Sequence, residues 1–158
     1  METIRTIKEM EEVLRAAGFR ITRPRRAILQ YLASTDTHPS ARQIFQAVRP
    51  THHGLSLATV YNTLGMLVQQ GLIKLLEFEM DNRYENNLAP HINLICTCCG
   101  KIQDLEGGLP SPPEQVTEQV GFQVLDYRME YYGICRECRE KALTKEITNN
   151  FKGEKKHG

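Results

Sequence analysis

The sequence lacks any uninterrupted apolar run near the roughly 20 residues that a membrane-spanning helix needs. Its first ten residues, METIRTIKEM, lack the charged and then apolar pattern of a secretory leader. A strong excess of either charge is also missing, since the net charge is +1. We therefore expect a cytoplasmic protein with no membrane partner, and the overall charge does not by itself indicate nucleic-acid binding.

Acidic residues are absent from one segment that is rich in arginine. Residues 15–30 contain five arginines and no Asp or Glu. This basic segment lies in the half of the chain that has no cysteine. A local cluster of this kind is suited to phosphate groups, although a solvated arginine face is the ordinary alternative.

The first half of the chain has the periodicity of four helices followed by a short hairpin. Thr22, Ser40 and Ser56 are suitable N-caps for the second, third and fourth helices, and Gly71 ends the fourth. Apolar residues then alternate as in a strand that we extend through Phe78 and Met80, and residues 83–85 begin the return strand. Helices closed by a hairpin predict a winged helix-turn-helix domain over residues 1–86.

The second half predicts a smaller α/β domain. Residues 87–90 form a polar stretch with a proline, which we interpret as a hinge. Residues 91–150 contain an alternating strand at 92–96, a helix capped by Ser111, a β-rich run over 123–132 and a last helix. Residues 151–158 are polar and are predicted to be a disordered tail. The fold class is therefore α+β.

Four cysteines form two matched pairs with two residues inside each pair. They are Cys96 with Cys99, and Cys135 with Cys138. A turn of this length directs both thiolates to one point, and two such turns supply the tetrahedral sulfur set of a structural Zn²⁺. Gly100 and Gly133 are suited to the backbone of these turns. We expect one zinc ion per subunit.

Two other uses of the cysteines are less well supported. Two disulfides need an oxidising compartment, and a thioredoxin-like motif needs a βαβ context that neither pair has. The fifth cysteine, Cys98, is adjacent to Cys99 and cannot easily share its metal, so we interpret it as a spare thiol.

Once these features are placed, the sequence resembles the ferric uptake regulator superfamily, and its peroxide-sensing branch most of all. The matching motifs are GFRITxxR at 18–25, HPSA at 38–41, SxATVYNxL at 56–64, GLI at 71–73, YGIC at 132–135 and the two cysteine pairs. The resemblance covers nearly the whole chain. It implies a homodimeric, metal-responsive repressor whose first domain binds double-stranded DNA at a two-fold symmetric operator, and whose second domain dimerises.

The predicted DNA contacts come from the fourth helix and the basic segment. Polar side chains opposite the inner stripe of a recognition helix can enter the major groove. The resemblance adds the tyrosine of this helix. The predicted set is Arg20, Arg23, Arg25, Arg26, Thr59, Tyr61, Asn62 and Thr63.

The resemblance also implies a second, regulatory metal site that binds Fe²⁺ or Mn²⁺. The matching positions are His38, Glu85, His91, Asn93 and Asp104. Nitrogen and carboxylate ligands suit these ions, although Zn²⁺ would also bind them. In the peroxide-sensing branch the metal-binding histidines are oxidised, and the matching residues are His38 and His91.

This chain departs from the family pattern at two places in that set. Asn93 stands where a histidine is usual, and an amide oxygen is a weaker donor. Asp104 resembles the peroxide sensors, whereas Glu85 resembles the iron sensors. Peroxide sensing is therefore the leading hypothesis, and iron- or manganese-responsive control of metal uptake is the alternative.

Two other classes of function are weaker. A zinc hydrolase needs an open position on the metal, which four sulfurs do not leave, and a thiol oxidoreductase lacks its fold context. A zinc-stabilised interaction module without a DNA role would leave the arginine cluster and the wing unexplained. We therefore expect no enzymatic turnover.

Overall fold

We describe residues 6–107 and 112–153 of a computed structural model. The chain divides into two compact units, Met1–Ala89 and Pro90–Gly158. Across the described residues, we find no helix with both the length and the apolar character required to cross a membrane.

The first unit contains four helices, one 3₁₀ turn and a two-stranded sheet, in the order of a winged helix-turn-helix. This part of the predicted fold class is confirmed. Its elements are α1 (Ile7–Ala16), α2 (Arg23–Ser34), α3 (Ala41–Val48), the 3₁₀ turn (Arg49–Thr51), α4 (Leu57–Gln69), β1 (Lys74–Leu76) and β2 (Arg83–Glu85).

The three predicted N-caps are confirmed by hydrogen bonds. The hydroxyl oxygens of Thr22, Ser40 and Ser56 accept from backbone amides three residues later, at 3.4, 3.3 and 3.1 Å. Each bond satisfies an amide that the first turn leaves without an intrahelical partner. Helix α4 ends before Gly71, whose φ of +62° is a conformation that favours glycine.

The inner faces of the four helices share one apolar core. Residues at helical spacing along each element are fully or almost fully buried there, and burial of such side chains is the main favourable term in folding. The core consists of Met10, Leu14, Ala27, Ile28, Leu29, Leu32, Ala41, Ile44, Val48, Leu55, Val60, Leu64, Leu67, Leu72, Ile73 and Tyr84.

The wing is shorter than we predicted. Strands β1 and β2 pair antiparallel over three residues, with Leu75 opposite Tyr84. Phe78 and Met80 lie beyond β1, and Met80 is 97% exposed. The predicted extension was wrong because the apolar alternation slips after Leu76, so these side chains do not continue a buried face.

A buried carboxylate joins the first two helices. Glu11 on α1 accepts from Arg26 Nε on α2 at 2.5 Å and from Arg15 Nη2 at 2.7 Å. The hydrogen bond from Arg26 is the largest influence on Glu11 and lowers the pKa of its carboxyl group. Two of the five arginines in the basic segment are therefore paired with an acid that precedes the segment.

We expect Glu11→Gln to lower the unfolding temperature of the first unit at pH 7. The folded-state pKa of Glu11 is below the unfolded value of about 4.3, so its stabilisation is present above that value and is lost as the pH falls through the folded pKa. The difference in unfolding temperature between the variant and the native protein should be largest at about pH 6 and should disappear below about pH 4. Thermal unfolding followed by circular dichroism across this range tests it. Glu12→Gln, an exposed neighbour, is the control, and an equal pH-dependent gap in both variants would contradict the assignment.

The second unit contains a three-stranded sheet and two helices. The strand order is β4-β3-β5, with β3 antiparallel to β4 and parallel to β5. The elements are β3 (Ile92–Cys96), β4 (Ile102–Leu105), α5 (Pro113–Val120), β5 (Glu130–Gly133) and α6 (Arg136–Gly153).

The second unit differs from its sequence-based description in two respects. The β-rich run predicted for 123–132 is a strand only over Glu130–Gly133, and residues 121–129 have no regular structure. Helix α6 continues to Gly153, so the first residues of the predicted tail are helical. Residues 154–158, and the predicted cap Ser111, lie outside the described residues.

Candidate metal centres and nucleic-acid interface

The four paired cysteines meet in the second unit, as their spacing predicts. Cys96 ends β3, Cys99 lies in the following turn, Cys135 follows β5, and Cys138 lies in the first turn of α6. Their sulfur atoms all lie within 4.8 Å of one another. Zn–S bonds of about 2.3 Å in a tetrahedron place sulfurs roughly 3.8 Å apart, and the Cys99 and Cys135 sulfurs are 3.7 Å apart. The donor set fits a closed zinc site.

The backbone around the sulfurs favours thiolate at one of them. The amide of Cys135 donates to Cys96 Sγ at 3.3 Å. This bond, with a second amide bond from Cys99, lowers the pKa of Cys96 to about 6. Because zinc binds thiolate, a lowered pKa reduces the cost of losing the proton.

The turns that present the sulfurs differ from each other. Gly100 has a φ of +72° and donates its amide to Cys96 O at 2.9 Å, as expected for a tight cysteine turn. Gly133 lies in strand β5 and does not have a positive φ, so its predicted role was wrong. Lys101 beside the first pair forms a 2.8 Å ion pair with Glu137 beside the second, which we did not anticipate.

None of the five cysteines forms a disulfide. The two-disulfide alternative therefore finds no support. Cys98 is exposed and is not part of the four-sulfur set, which agrees with its interpretation as a spare thiol.

In the first unit, one buried histidine and one buried carboxylate form a pair. His38 Nε2 lies 3.1 Å from Glu85 Oε1, and both side chains are almost wholly buried. The strand β2 brings them together, because Tyr84 N donates to Pro39 O at 3.0 Å and Ser40 bridges to Arg83.

The residue after Glu85 holds this arrangement in place. Asn86 is buried, and its side-chain amide donates to the carbonyl oxygens of Leu32 and Thr35 at the end of α2. The end of β2 is therefore tied to the helical core, and Glu85 has a defined position.

In the second unit, three of the predicted ligands lie close together. His91 Nε2 is 4.0 Å from Asp104 Oδ2. Asn93 is the register partner of Asp104 across β3 and β4, so their side chains share a face of the sheet. Both the His38–Glu85 pair and the His91–Asp104 pair offer a nitrogen and a carboxylate oxygen that could hold a divalent metal.

Helix α4 exposes only part of the predicted DNA-contacting set. Tyr61 is 45% exposed, Asn62 is exposed, and Thr59 is half-buried beside the Ser56 cap. Thr63 is fully buried, and its hydroxyl donates to Thr59 O at 2.7 Å. Thr63 was therefore wrongly assigned to the DNA-facing side.

The arginines of the basic segment also divide into two kinds. Arg20 and Arg23 are exposed, whereas Arg25 donates to Arg20 O at 2.6 Å and Arg26 is paired with Glu11. The guanidinium groups of Arg25 and Arg26 are therefore engaged within the protein, and Arg20 and Arg23 have the exposure that a phosphate contact requires. Glu11 was missed because the signal, an acid four residues before Arg15, lies just outside the arginine cluster.

Comparison with known proteins agrees with this geometry. Residues 16–132 match the model of the Ferric uptake regulator family. The chain is 41% identical over 138 residues to the peroxide-responsive repressor PerR of Staphylococcus aureus, covering 84% of this chain and 93% of that protein.

Solved structures show the same relationship. The ferric uptake regulator of Helicobacter pylori, described as having three functional metal binding sites, aligns with a TM-score of 0.71 at 25% identity over 88% of this chain and 97% of that one. PerR of Streptococcus pyogenes, described in terms of peroxide sensing and gene regulation, aligns with a TM-score of 0.50 at 31% identity over 87% and 95%. The chain therefore belongs to the ferric uptake regulator family.

Proposed function

We propose that this protein is a metal-dependent, DNA-binding transcriptional repressor that senses peroxide. The observation that carries the proposal is the presence of two unlike ligand sets in one chain. One is a closed four-sulfur set suited to structural zinc. The other consists of nitrogen and oxygen ligands in two pairs, His38 with Glu85 in the first unit and His91 with Asp104 in the second. The similarity to PerR proteins supports the peroxide assignment.

The first unit would bind the DNA. Helix α4 presents Tyr61, Asn62 and part of Thr59, which suit base edges in a major groove, and Arg20 and Arg23 suit phosphates. We propose a two-fold symmetric operator, because a homodimer presents two copies of this unit.

The exposed apolar surface of the second unit supports the homodimer. Within the described part of this unit, large apolar side chains remain exposed, and Leu125 is 87% exposed. Patches of this kind usually mark a protein interface. They include Val120, Phe122, Leu125, Tyr131, Tyr132 and Ile134.

The regulatory ligands would be His38, Glu85, His91, Asn93 and Asp104. When bound, Fe²⁺ would activate peroxide for attack on a neighbouring ligand. The imidazoles of His38 and His91 would hold the ion, which would place both rings next to the activated peroxide. Overall, H₂O₂ would be the two-electron oxidant of one imidazole. A ring C–H bond would be replaced by a C–O bond, the second peroxide oxygen would leave as water, and the oxidised ring would be a poorer nitrogen ligand. Coupling between metal and DNA sites is typically worth about 1–3 kcal/mol, or a 5- to 150-fold change in DNA affinity.

We expect Fe²⁺-loaded protein to bind a selected operator about 5- to 150-fold more tightly than protein with structural zinc alone, and to lose this gain on peroxide treatment. Fluorescence anisotropy measures the affinity, and peptide mass spectrometry should find the mass of one added oxygen at His38 or His91. His53, which is exposed, serves as an internal control.

Mn²⁺-loaded protein is the second control, and it should show neither oxidation nor loss of affinity. Iron-loaded protein that keeps unmodified His38 and His91 under peroxide would exclude peroxide sensing. An effect of Fe²⁺ or Mn²⁺ on DNA affinity without oxidation would instead favour the second candidate, an iron- or manganese-responsive repressor, for which Glu85 is the supporting residue.

A further inference from the structure

Asn93 lies between two carboxylate side chains on one face of the sheet of the second unit. It lies on the middle strand β3 and is 5% exposed. Its register partner on β4 is Asp104, and its register partner on β5 is Glu130. Side chains of register partners share one face of a sheet, so a carboxylate flanks Asn93 on either side.

Neither flanking carboxylate can satisfy the amide oxygen of Asn93. Ionised carboxylates only accept hydrogen bonds. The two oxygens of Glu130 already accept from Arg128 Nε and Tyr132 Oη. Within the described ranges, Asn93 Oδ1 is buried and has no hydrogen-bond donor. A buried amide oxygen surrounded by acceptors is an arrangement that a cation would satisfy.

We infer that Asn93 binds the regulatory metal through Oδ1, and that this neutral oxygen shifts the preference of the site towards Mn²⁺ and away from Zn²⁺. The inference rests on the proposed function, since it concerns the same site. His91 Nε2, 4.0 Å from Asp104 Oδ2, supplies the nitrogen ligand beside Asn93.

The preference follows from the chemistry of the donor atoms. Imidazole nitrogen suits Zn²⁺ and Fe²⁺, whereas carboxylate and carbonyl oxygens suit Mn²⁺. An amide in place of an imidazole removes one nitrogen and leaves an oxygen-rich set. The ratio of Zn²⁺ affinity to Mn²⁺ affinity should therefore be lower than in a site with histidine at this position.

The test compares four variants of the full chain with zinc already bound by the cysteines. Affinities for Mn²⁺ and Zn²⁺ at the second site are measured by competition with a chelator. Asn93→Ala should lose about 10-fold or more in Mn²⁺ affinity, and Asn93→His should raise the ratio of Zn²⁺ to Mn²⁺ affinity by about 10-fold or more. Asn93→Asp, which keeps an oxygen, should retain Mn²⁺ binding and the low ratio.

Gln103→Ala is the matched control, because this amide lies on β4 beside Asp104 but is exposed, and it should change nothing. If the native protein binds a second ion and all three Asn93 variants keep both its Mn²⁺ affinity and its ratio, the inference is overturned while the proposed function stands. If the native protein binds no second ion, the regulatory site itself is wrong. If Asn93→Ala loses its structural zinc or its fold, the test rests on the Asn93→Asp and Asn93→His variants. Equal ratios of Zn²⁺ to Mn²⁺ affinity in these two variants would overturn the inference.

Discussion

Cys96→Ser is expected to release the zinc and unfold the second unit while the first unit stays folded. Cys96 joins the end of β3 to both cysteine turns, since its sulfur lies with the other three and accepts the amide of Cys135. Structural zinc in small domains contributes an apparent binding free energy of about 10–16 kcal/mol. That is comparable with the whole stability of a domain, which is about 5–15 kcal/mol.

The second unit depends strongly on zinc for its stability because it buries few apolar side chains. Its buried apolar residues in the described ranges are Ile92, Ile95 and Cys96, whereas the first unit has a continuous core that includes Met10, Leu14 and Ile28. A small unit with so little buried apolar surface needs a metal or a partner to stay folded.

Elemental analysis should find one zinc per chain in the native protein and almost none in Cys96→Ser. Circular dichroism and thermal unfolding should show that one cooperative transition disappears and the other remains. Cys98→Ser is the matched control, because this neighbouring thiol lies outside the four-sulfur set, and it should keep both zinc and stability. A zinc-free Cys96→Ser protein with both transitions intact would refute a structural role for the site.

Features that depend on neighbouring residues were predictable from the sequence. The caps at Thr22, Ser40 and Ser56 and the closing glycine at Gly71 each act within a few residues, so their local pattern is sufficient. The cysteine spacing belongs to the same class, because each pair closes its own turn.

Two errors arose where polarity was taken as a guide to exposure. Thr63 is polar but fully buried, since its hydroxyl finds an acceptor at Thr59 O inside the same helix. Met80 is apolar but almost fully exposed, because the wing strand ends before it. A hydrogen bond determines the burial of Thr63, and the end of a strand determines the exposure of Met80. The periodicity of the sequence shows neither feature.

The His38–Glu85 pair could not be derived from local sequence at all. The two residues are 47 positions apart, and their contact depends on β2 pairing with the backbone of Pro39 and Ser40. Only resemblance to a family joined them in advance. The contact between Glu11 and Arg26 spans two helices and was predicted neither from local sequence nor from the resemblance.

Asn62→Ala is expected to weaken binding to a selected operator by about 10- to 100-fold, with little change in binding to unrelated duplex. Asn62 is exposed on α4, and an asparagine amide can donate to and accept from one adenine edge. A contact to a base edge distinguishes sequences, so removing it should affect the operator alone.

Arg23→Ala should weaken binding to the operator and to unrelated duplex alike. The contrast with Asn62→Ala tests the proposed DNA interface. An arginine on a phosphate contributes to binding on any sequence, so both affinities should fall. The slope of log K against log salt should also become shallower by about 0.9 for each phosphate that the variant no longer neutralises. Arg139→Ala, an exposed arginine on α6 in the second unit, is the control for the removal of one positive charge. Anisotropy titrations at several salt concentrations measure all three variants, and equal decreases in affinity for Arg23→Ala and Arg139→Ala would remove the basic segment from the proposed interface.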